Sequence, residues 1–451
     1  MTVAGDKTQH SLTREQKQAV GLLSIGTFLE YFDLMLYVHM AVLLNELFFP
    51  KTDPFTASLI TAAAFCSTFV FRPLGAVIFG YIGDNIGRKH TVIITTAMMS
   101  VSCLIMANLP TYAQIGISAT WLITICRIVQ GMSSMGEIIG ADLYLTESIK
   151  PPVQYPAVAA LESCFVLGGF GALGVATLVT SYGFNWRIAF WMGAGIALVG
   201  AIARTALRET PEFADAKRQL EKNLQNAKID KKRLKDVSIL NKKMDKKIGL
   251  AFFFTDCAWP IGFYLTYIHC GAILKDSFGY SPDQIIHQNL LVSVVELIGA
   301  FILIYLSSKI YPIKILKIKL FIFSMFVLAC PYLLYSAETP LDIFLIQAFI
   351  MLFGCFINPA FPILYKHLPI FKRFTYASLS FSFSRAAMYI ITSFGIIYLN
   401  EYFGHWGLWF ILIPTTIGFG LGVYHFEKLE RAEGNYPEKF FEVFSAKNLA
   451  D

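Results

Sequence analysis

Between residues 19 and 426 the chain is an almost unbroken succession of apolar segments separated by short polar turns. About 20 apolar residues carry a helix across a bilayer, because it rises ~1.5 Å per residue through a hydrocarbon core of ~30 Å. Twelve such segments can be drawn, at roughly 19–45, 56–80, 90–110, 117–144, 155–181, 187–206, 248–271, 285–307, 318–336, 341–365, 375–399 and 405–426. In hydrocarbon a lone segment must satisfy its own backbone polar groups, so each is expected to be a helix. Composition agrees: 55% of the residues are hydrophobic and 15% charged, against about 25% charged in soluble domains. The first 18 residues are polar and the first apolar run is too long for a signal-peptide core, so it is expected to remain as a span.

Charge placement orients these segments. Lys and Arg concentrate in the two tails and in the loops after even-numbered segments, whereas the loops after odd-numbered ones hold Lys51, Arg187 and Lys275. That bias predicts that both termini lie in the cytoplasm. The net charge of +6 is therefore a topological signal. No stripe of interleaved aromatics accompanies the basic residues, which argues against nucleic acid as a partner. Apolar periodicity stops once, where polar residues such as Lys231, Lys232, Arg233 and Lys235 dominate. The expected organisation is an amino tail (1–18), a six-helix bundle (19–207), a linker (208–247), a second six-helix bundle (248–426) and a carboxyl tail (427–451). Leu220, Leu224, Ile229 and Leu234 recur at loose helical spacing, but a solvated linker skimming an anionic leaflet is the reading adopted. Two halves joined this way form a substrate site where they meet.

The few polar groups inside the segments point to that site. An ionisable side chain in a span costs about 2.5–3.5 kcal/mol on insertion scales and needs a partner or an aqueous cavity. Gly26, Glu30, Asp33 and Tyr37 share one face of the first segment; Arg127, Gln130, Ser134 and Glu137 form a stripe on the fourth. Proton coupling needs a carboxyl group whose hold on a proton changes with its surroundings. Glu30, Asp33, Glu137 and Glu162 are the candidates, with Arg127 as the tuning cation and as a clamp for a substrate carboxylate. Tyr37 and Gln130 stand beside it as candidate substrate ligands. In the second half Asp256, Trp259, Phe263 and Tyr267 recur at helical spacing around Pro260. Trp259 and Tyr267 are candidate ligands for an ammonium group. Glu296 and Arg385 are further intramembrane charges, with Arg385 pairing either Glu296 or Asp256.

Five motifs narrow the family. They are Gly80-Tyr-Ile-Gly-Asp84-Asn-Ile-Gly87-Arg88-Lys89 between segments two and three, Gly26 to Asp33, Arg72-Pro-Leu-Gly75, Arg127 to Glu137, and the residues bracketing segment six from Trp186 to Phe213. Together they resemble the metabolite:proton symporters of the major facilitator superfamily, over the first 215 residues and more loosely at Phe263–Tyr267 and His367–Tyr376. The resemblance implies two pseudo-symmetric six-helix bundles, making an all-α membrane protein of twelve transmembrane helices. It also implies alternating access and proton-coupled uptake of a small carboxylate-bearing metabolite, such as the osmoprotectants proline and betaine, across the bacterial inner membrane. It implies a latch of Gly80, Asp84, Gly87, Arg88 and Lys89: Asp84 meets the positive end of a helix in the other half, Arg88 pairs with Glu147, and Arg208 joins them. Asn85 departs from the pattern, and the second half carries only a degraded copy, Tyr305 to Pro312. The carboxyl tail lacks the sustained heptads of the osmosensory coiled coil found in some of these transporters.

Other classes have less support. All eight cysteines lie in or at the ends of apolar segments, without a Cys-x-x-Cys pair, and read as small apolar residues. No metal cluster, catalytic set or phosphate loop stands in a soluble segment, so neither an enzyme nor a cofactor is expected. The expected partners are a small metabolite, protons and lipid, and the chain is expected to work as a monomer. The alternatives are a dicarboxylate or tricarboxylate:proton symporter and a sensor that kept the fold without transport.

Overall fold

The computed structural model describes residues 9–51, 63, 66–226, 244–441 and 443. Its first half comprises α1 (Arg14–Phe48), α2 (Arg72–Asn85), α3 (Arg88–Asn108), α4 (Ile117–Glu137, resuming as Ile139–Ser148), α5 (Gln154–Tyr182) and α6 (Arg187–Arg204). The second half comprises α7 (Lys246–Phe278), α8 (Pro282–Ser307), α9 (Pro312–Tyr335), α10 (Pro340–Phe353), α11 (Arg373–Ile390, continued to Phe403) and α12 (Trp409–Ala432). Starts are set by local chemistry. Thr13 and Gln16 cap α1 reciprocally, Ser281 and Gln284 do the same for α8, and proline occupies the first turn of α8, α9 and α10.

Nine helices among the described residues are long and apolar enough to cross a membrane on their own. The other three depart from the sequence expectation. Helix α9 begins at Pro312 and carries Lys314, Lys317 and Lys319 in its first half. The tenth segment, expected as one span over 341–365, is broken: α10 stops at Phe353 and a short helix, Phe361–Lys366, follows. At Gly354 a Cβ would meet the carbonyl oxygen of Ile350 at 2.5 Å, so this stop requires glycine. Helix α11 contains a π turn at Ile391–Gly395, and α7 contains another at Tyr264–His269.

The linker is expected as a solvated segment, with an interfacial helix as the alternative. Its first part is a helix, Pro211–Asn226, while 227–243, with Ile229 and Leu234, lie outside the described residues. The amino segment, the α2–α3 turn, the α4–α5 loop, the linker helix, the α10–α11 loop and the carboxyl tail share one face, the linker face. Gln9 N donates to Pro151 O at 2.8 Å, and Lys314 Nζ donates to Lys439 O at 2.5 Å. The halves meet along α5 with α8 and along α2 with α11. The eight cysteines are free thiols.

Candidate functional site

A cavity of about 310 Å³ lies between the halves, walled by α4 and α5 on one side and by α7 to α11 on the other. Its charged lining is Glu162, Asp256, Glu296, Lys319 and Arg385, with Trp259 and Phe165 among the aromatics. Arg385 presses its guanidinium on the Phe381 ring at 3.3 Å, with Trp259 5.2 Å away. It reaches Asp256 at 3.8 Å, a loose pair that resolves the choice of partner. Tyr267 donates to Glu296 at 2.9 Å, and Trp259 stacks on Phe263 at 5.3 Å. Of the residues singled out above, Glu162 and Trp259 line this cavity and Tyr267 backs it through Glu296. Asp256, from the stripe that holds Trp259, lines it too, as do the lone charges Arg385 and Glu296, and Lys319 was missed. A lone cation in an apolar segment was the available signal.

The stripes on α1 and α4 form a second, nearly closed cluster around about 10 Å³ of space. Arg127 Nη1 donates to Asp33 at 2.7 Å, Gln130 Nε2 to Asp33 at 2.9 Å, and the guanidinium lies 4.1 Å over the Tyr37 ring. Arg72, whose role sequence reasoning missed, pairs with Glu30 at 2.8 Å. Arg127, Gln130 and Tyr37 were expected to face substrate, but the structure places them outside the larger cavity, because Asp33 and the ring already occupy the guanidinium. Glu137 is also elsewhere. It accepts from Arg204 Nη1 at 2.5 Å and from Thr95 and Thr96 at 3.1 and 2.5 Å, sealed within the first half.

At the linker face the halves are tied together. Asp84 Oδ1 accepts from Phe374 N at 3.0 Å, and Oδ2 accepts from Thr375 N and Oγ1 at 2.9 and 2.7 Å. These are orphan amides of the first turn of α11, where the helix dipole favours an anion. At Gly80 a Cβ would sit 2.8 Å from Thr375 Cα, so only glycine admits this approach. Arg88 donates to Glu147 through Nε and Nη2 at 3.0 and 2.9 Å, to Ile370 O at 2.9 Å, and lies 4.1 Å over Phe213. Gly87 has φ +147°, and its missing Cβ makes room for the Glu209 carboxylate, which accepts from Arg88 N at 3.0 Å. Arg208 does not join. It is exposed and pairs with Glu15 at 2.9 Å, because the chain turns outward after α6. Arg373 fills that role, bonding Glu147 at 3.2 Å and Glu212 at 2.9 Å, while Thr210 donates to Glu147 at 2.7 Å. Lys89 is half-buried and enters none of the ion pairs found among the described residues. In the second half, which lacks the motif, Glu430 gathers Tyr311 at 2.5 Å and His367 at 2.8 Å.

Two helical bundles enclosing a charged cavity, tied at one face by ion pairs between them, define a multi-pass membrane transporter. Residues 23–390 match the Major Facilitator Superfamily, and the chain belongs to it. It is 29% identical over 297 residues to a proline/betaine transporter of Salmonella typhimurium, covering 63% of this chain and 57% of that protein. It is 36% identical over 208 residues to an inner membrane metabolite transport protein of Escherichia coli, covering 44% of this chain and 47% of the relative. The chain thus spans about half the length of these relatives. Among solved structures it is similar to the proton:xylose symporter XylE bound to 6-bromo-6-deoxy-D-glucose, with TM-score 0.74, 13% identity and coverage of 92% and 95% of the two chains. At that identity the likeness shows the fold alone. The TM-score falls to 0.61 for XylE in a partially occluded inward open conformation, at 13% identity and covering 93% and 98%.

Proposed function

We propose that this chain imports a small zwitterionic carboxylate, of the proline or betaine kind, together with protons by alternating access. The observation that carries the reading is the loose Arg385–Asp256 pair in a cavity shared with Trp259 and, from the other half, Glu162. A substrate carboxylate can take Arg385 through two parallel N–H···O bonds and displace Asp256. The aromatic face of Trp259 receives the ammonium end. The carboxyl group that the substrate displaces carries the proton, so cargo and proton enter together. Glu162 and Glu296 are the neighbouring proton carriers. Three acids in one cavity disfavour a tricarboxylate, whose charges they would repel.

The linker-face ties support a reading in which Asp84, Arg88, Glu147 and Arg373 act as a cytoplasmic latch that holds the inward path shut. The basic bias of the tails and even loops supports cytoplasmic termini, and the E. coli relative supports the inner membrane. One chain supplies both walls of the cavity, so the working unit is a monomer.

The test is uptake of labelled proline and glycine betaine into proteoliposomes with an acidic exterior. Accumulation that collapses with a protonophore is expected. Binding of either compound without accumulation would favour the sensor reading instead.

A further inference from the structure

Lys319 projects from α9 into the same cavity as Arg385 yet takes no part in the proposed zwitterion site. It is 9% exposed, and no carboxylate among the described residues lies within ion-pair distance of it. Its ammonium nitrogen lies 5.1 Å from the centre of the Phe356 ring. Asn358 lines the same wall, and its buried side-chain oxygen, an acceptor without a partner, matches an N–H donor and not an anion. A lone ammonium inside a span is costly and marks a place where an anion or water completes its coordination. Four buried arginines each have a carboxylate instead: Arg72 has Glu30, Arg127 has Asp33, Arg204 has Glu137 and Arg385 has Asp256.

The two cavity cations stand at different depths. Helices α9 and α11 both start at the linker face, and at ~1.5 Å of rise per residue Lys319 lies about 10 Å in from Pro312 while Arg385 lies about 18 Å in from Arg373. The offset of about 8 Å exceeds the ~5 Å between the two carboxyl carbons of a five-carbon diacid, a gap that two long side chains close. A cavity of 310 Å³ also has room beyond a proline-sized occupant.

Resting on the transport reading above, we propose that Lys319 forms a second anion subsite. The cavity then accepts an amino dicarboxylic acid: one carboxylate on Arg385, the ammonium by Trp259 and the acids, and the far carboxylate on Lys319. Lys319 sets the length and charge of the cargo. Arg385 recognises what all zwitterionic cargoes share.

The experiment is a thermal-shift titration of the purified full chain with L-glutamate, L-proline, glycine betaine and succinate. L-Glutamate is expected to stabilise the protein, and succinate, lacking the ammonium, to bind more weakly. Lys319→Gln should cost glutamate about tenfold more affinity than it costs proline, a change typical of losing one charged hydrogen bond. Lys319→Arg should restore most of it. Asn358→Asp provides an independent variant, since a new negative charge in the wall should repel the second carboxylate selectively. Equal losses for glutamate and proline in both variants would overturn the subsite, as would stabilisation by proline but not by glutamate. Stabilisation by none of the four compounds would instead sink the transport reading on which the subsite rests.

Discussion

Asp84 and Thr375 belong to opposite halves of the protein, yet the carboxylate takes both the backbone N–H and the hydroxyl of the threonine, at 2.9 and 2.7 Å. The contact is a helix N-cap whose capping residue comes from another domain. Every opening of the linker face must therefore uncap α11, which couples domain motion to the stability of one helix turn.

Asp84→Asn should keep the fold and membrane insertion while lowering transport. An amide retains part of the hydrogen bonding but loses the charge–dipole term, about 0.3–2 kcal/mol. That is enough to shift a balanced two-state equilibrium several-fold. Cysteine-accessibility labelling of the linker-face path should rise in the variant; unaltered labelling together with unaltered uptake would refute the latch.

Gly80→Val should prevent closure more severely than Asp84→Asn, because its Cβ would meet Thr375 Cα at 2.8 Å. Uptake should fall below a tenth of the parent, and linker-face labelling should become high and insensitive to substrate. A variant that transports normally would show that this close approach is dispensable.

Glu162→Gln and Asp256→Asn test the coupling. Each should abolish accumulation driven by a pH gradient while substrate exchange across the membrane persists, since exchange needs no net proton movement. If both variants still concentrate substrate under that gradient, the proton is carried elsewhere, and Glu30 or Asp33 is the next place to look.

Arg204→Met should destabilise the first half strongly without touching substrate contacts. It leaves Glu137 buried and deprived of its 2.5 Å partner, a change that costs about 3–5 kcal/mol. The double variant Arg204→Met with Glu137→Leu should recover much of the loss in a thermal-unfolding assay. Failure to recover would mean that Arg204's bonds to the Leu22 and Leu23 carbonyls, at 3.0 and 2.8 Å, matter more than the ion pair.

The overall architecture was legible because apolar length depends on local composition, which a sequence states directly. The broken tenth segment was less so: Gly354 and Pro359 were visible, but an apolar run of 341–365 outweighed them. The site was legible only in part, because stripes on α1 and α4 show that polar groups share a face without showing what that face meets. Arg127 and Asp33 share a small sealed space, whereas Arg385, with no acid at helical spacing on its own segment, turned out to face the cavity. Arg208 and Arg373 illustrate the same limit. Both are basic residues beside a span end, and only the outward turn after α6 sends one to solvent and leaves the other to bridge Glu147 and Glu212.

The missing side chain at Gly80 also bears on how the halves part and rejoin. Because a Cβ there would lie 2.8 Å from Thr375 Cα, α2 meets α11 with bare backbone. Reclosing the contact at this point therefore orders no side chain on α2, and its cost in conformational entropy is smaller than at any side-chain contact along the same seam.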